Sequence, residues 1–84
     1  MQLIISKTQY EYLLDHFSKE NMAIWQLIEF QFEDKRVLLT IDEDQADDIQ
    51  DWASERLLVV GFDMDYKLNP EGRILEEIMD IFFV

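Results

Sequence analysis

The residues in this chain whose types and spacing could do chemistry are carboxylates, and they crowd one stretch. From Asp42 to Glu55 (DEDQADDIQDWASE) seven of fourteen residues are acidic and none is basic. Carboxylates at such density can work as paired acids and bases, chelate a hard cation, or present charge to a basic surface. Acid–base work needs an environment that separates two pKa values, and abundance alone does not supply one. A nucleophilic set cannot be assembled either. Ser6, Ser18 and Ser54 share one histidine, His16, with no nucleophile-elbow motif.

Metal and cofactor chemistry is equally poor in residues. There are no cysteines, which removes disulfides and thiolate ligands and fits a reducing interior or a chain indifferent to redox state. Asp63, Asp65, Lys67, Asn69 and Glu71 place polar side chains at alternate positions, as in a calcium loop. Lys67 stands at a ligand position, however. Leu68 replaces the turn glycine and Ile74 the closing glutamate, so the pattern fails. No glycine-rich phosphate loop is present. The chain is expected to carry no catalytic residue, no metal and no cofactor, and not to be an enzyme.

Docking remains. The net charge of −12 on 84 residues opposes direct contact with nucleic acid or an anionic membrane. It favours a basic protein partner, such as a nuclease or another nucleic-acid-binding protein. Asp44, Asp48, Asp51 and Glu55 fall at i, i+4, i+7 and i+11, one helical ridge, with Asp47 beside it and Trp52 at its edge as an aromatic anchor. Asp42, Glu43, Asp44 and Asp47 have a structural explanation in the macrodipole at a helix N-terminus. Asp48, Asp51 and Glu55 lie beyond it, and like charges at i,i+4 destabilise a helix slightly. The expected function is a small acidic binding module of the inhibitor or immunity type.

Two alternatives stay open. One is a structural subunit that forms a homodimer through Ile81, Phe82, Phe83 and Val84, because one helix face cannot bury all four. The other is imitation of nucleic acid by the ridge, since residues three or four apart rise about 4.5–6 Å. Solubility alone is the plain reading of the charge.

These residues need a scaffold. Nearly half of the chain is hydrophobic (49%), enough for one core in one domain spanning residues 1–84. Leu3-Ile4-Ile5 reads as a short strand. Ser6 with Gln9 makes a capping box, and Ile5 with Tyr10 a hydrophobic staple, for a helix to about Lys19 with the stripe Tyr10, Leu13, Leu14 and Phe17. Asp15 and His16 point away from that stripe.

The stretch from Met22 to Ile41 reads as a hairpin turning at Asp34-Lys35. It pairs Phe32 with Val37, Phe30 with Leu39 and Ile28 with Ile41 on one face. Leu38 lies on the other face, with Trp25 and Leu27 near it. Asp42 and Gln45 cap the acidic helix, which buries Ala46, Ile49, Ala53, Leu57 and Val60 and ends at Gly61. A connector over 62–68, itself a candidate short strand, leads to Asn69-Pro70, cap and first residue of the last helix. Ile74, Leu75, Ile78, Met79 and Phe82 give that helix its apolar face.

The fold class is therefore α+β, a hairpin plus a short N-terminal strand packed on three helices in the order β-α-β-β-α-α. Met1–Ile5 lack the basic start of a signal peptide, and no run approaches the roughly 20 apolar residues of a membrane span. A cytoplasmic protein is expected.

Overall fold

Ser6 closes a strand and opens a helix, and its side chain shows how. In the computed structural model of the chain, which describes residues 1–83, β1 (Gln2–Ser6) runs directly into α1, a helical stretch over 7–20. The Ser6 hydroxyl accepts from the Gln9 backbone N–H at 3.1 Å, and the Ser6 N–H donates to Gln9 Oε1 at 2.9 Å. The capping box is thus formed.

The interior of α1 departs from the expected stripe. Leu13–Phe17 is a π-helical turn between Lys7–Tyr12 and Ser18–Glu20. Such a turn bonds residue i to i+5, so it carries one extra residue and rotates the remainder of the helix. Leu13 and Phe17 are fully buried, Leu14 is 40% exposed, and Tyr12 takes its place inside. His16, off the apolar stripe as its spacing requires, is a half-buried boundary residue turned toward the next long helix.

The hairpin begins later than its apolar content implies. Met22–Trp25 forms a short helix, α2, and the alternating pattern starts only after it. β2 (Glu29–Phe32) and β3 (Arg36–Thr40) pair antiparallel, Phe32 opposite Val37 and Phe30 opposite Leu39. Ile28 and Ile41 are both buried just beyond the strand ends. The Glu33 N–H donates to the Arg36 carbonyl at 2.9 Å, which places the turn at Asp34-Lys35. Neither turn residue has a positive φ, so glycine is not required there. The expected face is shared but not uniformly covered. Val37 and Leu39 are buried, while Phe32, at the edge, is 59% exposed with the Tyr10 ring 5.0 Å from its own.

β1 joins the free side of β3, giving the order β1-β3-β2. Ile5, Val37 and Leu39 face the helices, and the opposite face leaves Ile4 about half exposed.

Two long helices complete the core. α3 (Glu43–Val60) is capped by Asp42, whose carboxylate accepts from the Gln45 N–H at 2.7 Å. It buries Ala46, Ile49 and Ala53, with Leu57 and Val60 half-buried. α4 (Pro70–Ile81) packs along it. Asn69 ties the two together. Its Oδ1 accepts from the Gly72 N–H at 2.7 Å while its Nδ2 donates to the Val60 carbonyl at 2.7 Å.

Gly61 occupies the cap position of α3 with a φ of −83°, outside the left-handed region. Its role is contact instead. A Cβ on Gly72 would lie 2.1 Å from the Gly61 carbonyl oxygen, and one on Gly61 would lie 2.6 Å from the Leu57 carbonyl oxygen. The two helix ends touch backbone to backbone. Between them Phe62 and Leu68 form an isolated bridge around a turn in which Tyr66 adopts a φ of 60°.

The C-terminal apolar run divides. Phe82 is fully buried, Ile81 half-buried and Phe83 76% exposed. Val84 lies outside the described residues. Among the described residues no helix is long and apolar enough to cross a membrane.

Candidate protein-binding surface

Helix α3 carries charge on two faces, and each face treats it differently. On the outer face Asp44, Asp47, Asp48, Asp51 and Glu55 are all exposed. Among the described residues the ion pairs are Arg36–Glu33 and Arg56–Glu71, so none of these five carboxylates is paired with a base. Asp44 belongs to the first turn, where the dipole favours it. Asp48, Asp51 and Glu55 follow along the helix with no such support.

Trp52, at the ridge's edge, is half-buried and partly engaged. Its indole N–H donates to Glu20 Oε2 at 2.8 Å, and its ring meets Phe17 edge-on at 5.4 Å. It braces α3 against α1 and presents only its outer side. A shallow groove of about 260 Å³ opens there, lined by Glu20, Trp52, Glu55, Arg56, Val59 and Val60.

The other charged face holds a cluster that sequence reasoning missed. Arg56 Nε donates to the Tyr12 hydroxyl at 2.7 Å, and Tyr12 donates to Glu71 Oε2 at 2.5 Å. A terminal nitrogen of Arg56 reaches Glu71 Oε2 at 3.2 Å and lies 3.1 Å from His16 Nδ1. The guanidinium carbon also sits 5.7 Å from the centres of both the Tyr12 and Trp52 rings. Four side chains from α1, α3 and α4 thus converge on one cation.

Electrostatics in the cluster follow from those bonds. Burial, reinforced by the Glu71 carboxylate, pushes the Tyr12 hydroxyl up to about 12. The Tyr12 hydrogen bond, with Arg56 assisting, holds Glu71 below the usual carboxylate range against the opposing effect of burial. At neutral pH Tyr12 therefore keeps its proton and Glu71 stays ionised, which makes the trio a charge-assisted clamp between helices. One sequence signal pointed to it. Arg56, the sole base between Arg36 and Lys67, stands seven residues from Ile49 and so on the buried side of α3.

The connector after α3 uses its acids internally. Asp63 Oδ1 accepts from the Asp65 N–H at 3.0 Å and the Lys67 N–H at 3.2 Å. Among the described residues no group of three or more His, Cys, Asp or Glu side chains is arranged to hold a metal ion.

The comparisons with known proteins add no identity: no family model, curated protein or solved structure matches the chain.

Proposed function

We propose that this chain is a small non-enzymatic binding module that docks a basic protein through the outer face of α3. A fitting role is that of an inhibitor or immunity-type protein acting on a nuclease or another nucleic-acid-binding protein. The observation that carries this reading is the row Asp48, Asp51 and Glu55, exposed and without an ionic partner among the described residues, beyond the reach of the helix dipole. Such a row speeds and orients encounter with a basic surface, and the −12 net charge extends the same field.

The test is capture from the native host with the purified chain and with its Asp48→Lys/Asp51→Lys/Glu55→Lys variant as baits. A basic protein retained at low salt, released by high salt and lost on charge reversal supports the reading. An identical captured set with both baits sinks it.

A homodimer is the second reading, favoured by the 76% exposure of Phe83. Phe82 belongs to the core, so deleting the whole end would unfold rather than inform. Sedimentation of Phe83→Ser is the cleaner measurement, and an unchanged mass excludes that contact.

A further inference from the structure

The outer face of α3 changes its chemistry along its length. With 3.6 residues per turn, Asp44, Asp48, Asp51 and Glu55 lie within an arc of about 60°. Leu58 and Val59 flank the continuation of that same arc, and they are 78% and 80% exposed. Two aliphatic side chains thus stand in water directly beyond a row of carboxylates, on a helix face that none of the described residues covers. The groove beside them adds the outer side of Trp52, with Glu20 and Glu55 also in its lining.

We propose that this face seats a basic amphipathic helix from a partner protein. Its Lys or Arg side chains meet Asp48, Asp51 and Glu55, and its aliphatic side chains cover Leu58 and Val59. The inference rests on the docking reading above and adds the partner's shape and residue pattern.

Charge and apolarity together select this occupant. A nucleic acid or anionic lipid is repelled by the field and finds no basic group on the ridge. A second copy would bring its own ridge of carboxylates against either the same charges or Leu58 and Val59, and both arrangements are unfavourable. A basic helix satisfies both halves. A lysine or arginine stem also fits the groove, its methylenes on Trp52 and Val59 and its cation beside Glu20 and Glu55. Arg56 in the same wall is already neutralised by Glu71. From Asp44 to Val59 the face runs about 22 Å, which a partner helix of roughly 16 residues spans.

Two synthetic peptides of about that length test the assignment. One carries lysines at i, i+4 and i+7 in one half and leucines on the same face in the other. The second replaces those leucines with serine. Calorimetry at about 0.15 M salt is expected to give roughly tenfold tighter binding for the leucine peptide. Leu58→Ser/Val59→Ser, on an exposed face and checked by circular dichroism, should erase that ratio and leave the weaker, salt-sensitive binding in place. Asp48→Lys/Asp51→Lys/Glu55→Lys should lose both peptides.

A ratio that survives Leu58→Ser/Val59→Ser overturns the proposal, as does failure of the leucine peptide to bind. So does sedimentation showing a native dimer that this double variant dissolves. Equal affinities for the two peptides that vanish on charge reversal remove the helix while leaving the docking reading standing. Affinities unmoved by reversal remove the docking reading itself.

Discussion

The two faces of α3 handle charge in opposite ways. Inside, a single cation, Arg56, is shared among Tyr12, Glu71 and His16 at 2.7–3.2 Å. Outside, five carboxylates stand exposed and without an ionic partner among the described residues. A charge that serves the fold is surrounded by groups that justify its partial burial, because an unpartnered one is costly. The outer charges meet no such requirement. The contrast separates positions the fold depends on from positions free to face a partner, and four measurements probe it.

The largest effect is expected where the inner face ends. Gly72 lies in the first turn of α4, where helix propensity alone predicts that alanine stabilises by about 1 kcal/mol. The structure predicts the reverse, since the new Cβ would meet the Gly61 carbonyl at 2.1 Å. Gly72→Ala should therefore lose about 3 kcal/mol in urea denaturation, the scale of forced overpacking. A gain would show that the helix ends have room to separate.

Next comes Arg56→Met, which keeps most of the stem and removes the guanidinium. Glu71 loses its cation and Tyr12 a donor, a loss of about 2 kcal/mol in a partly buried site. A double-mutant cycle with Glu71→Gln should show coupling between the two positions. Additive losses would mean that the Arg56–Glu71 pair contributes nothing of its own and that Arg56 acts through Tyr12, His16 and packing.

The same clamp sets a pH dependence at both ends of the scale. Tyr12 is raised from 10.0 to about 12 in the folded chain, so its contribution is complete below pH 10 and is lost as pH climbs through about 12. Glu71 is depressed, so its contribution is complete above the ordinary carboxylate range and is lost as pH falls through its lowered value. Tyr12→Phe should abolish the alkaline loss and weaken the acid one, read as denaturation midpoints against pH. An unchanged alkaline limb would place its cause elsewhere.

The features legible in the sequence were local ones. Ser6 with Gln9, Asp42 with Gln45 and Asn69 with Pro70 each marked a helix start, because a cap needs only neighbours a few residues away. The pairing of Phe30 with Leu39 came from alternation and one turn. The features that escaped depend on residues far apart in sequence. The π turn in α1 is visible only once Tyr12 is seen beside Arg56, forty-four positions away. Gly72 reads as a weakness until the Gly61 carbonyl is placed against it. The ridge was legible because it is a property of one helix. The exposure of Leu58 and Val59 was implicit in the same helix, since both fall off the apolar stripe of Ala46, Ile49, Ala53, Leu57 and Val60.

The smallest expected effect bears most directly on the outer face. Asp48 stands beyond the first turn of α3, four residues after Asp44 and three before Asp51. Asp48→Lys replaces two like-charge neighbours with two opposite ones and asks nothing of the helix dipole. Each such change is worth a few tenths of a kcal/mol, so the variant should gain about 0.5 kcal/mol, measurable as a small rise in denaturation midpoint that added salt removes. A variant steadier than the native chain yet weaker in binding would mark Asp48 as kept for a partner at the fold's expense. A loss near 1 kcal/mol would instead give the outer carboxylates a structural role and collapse the distinction between the two faces.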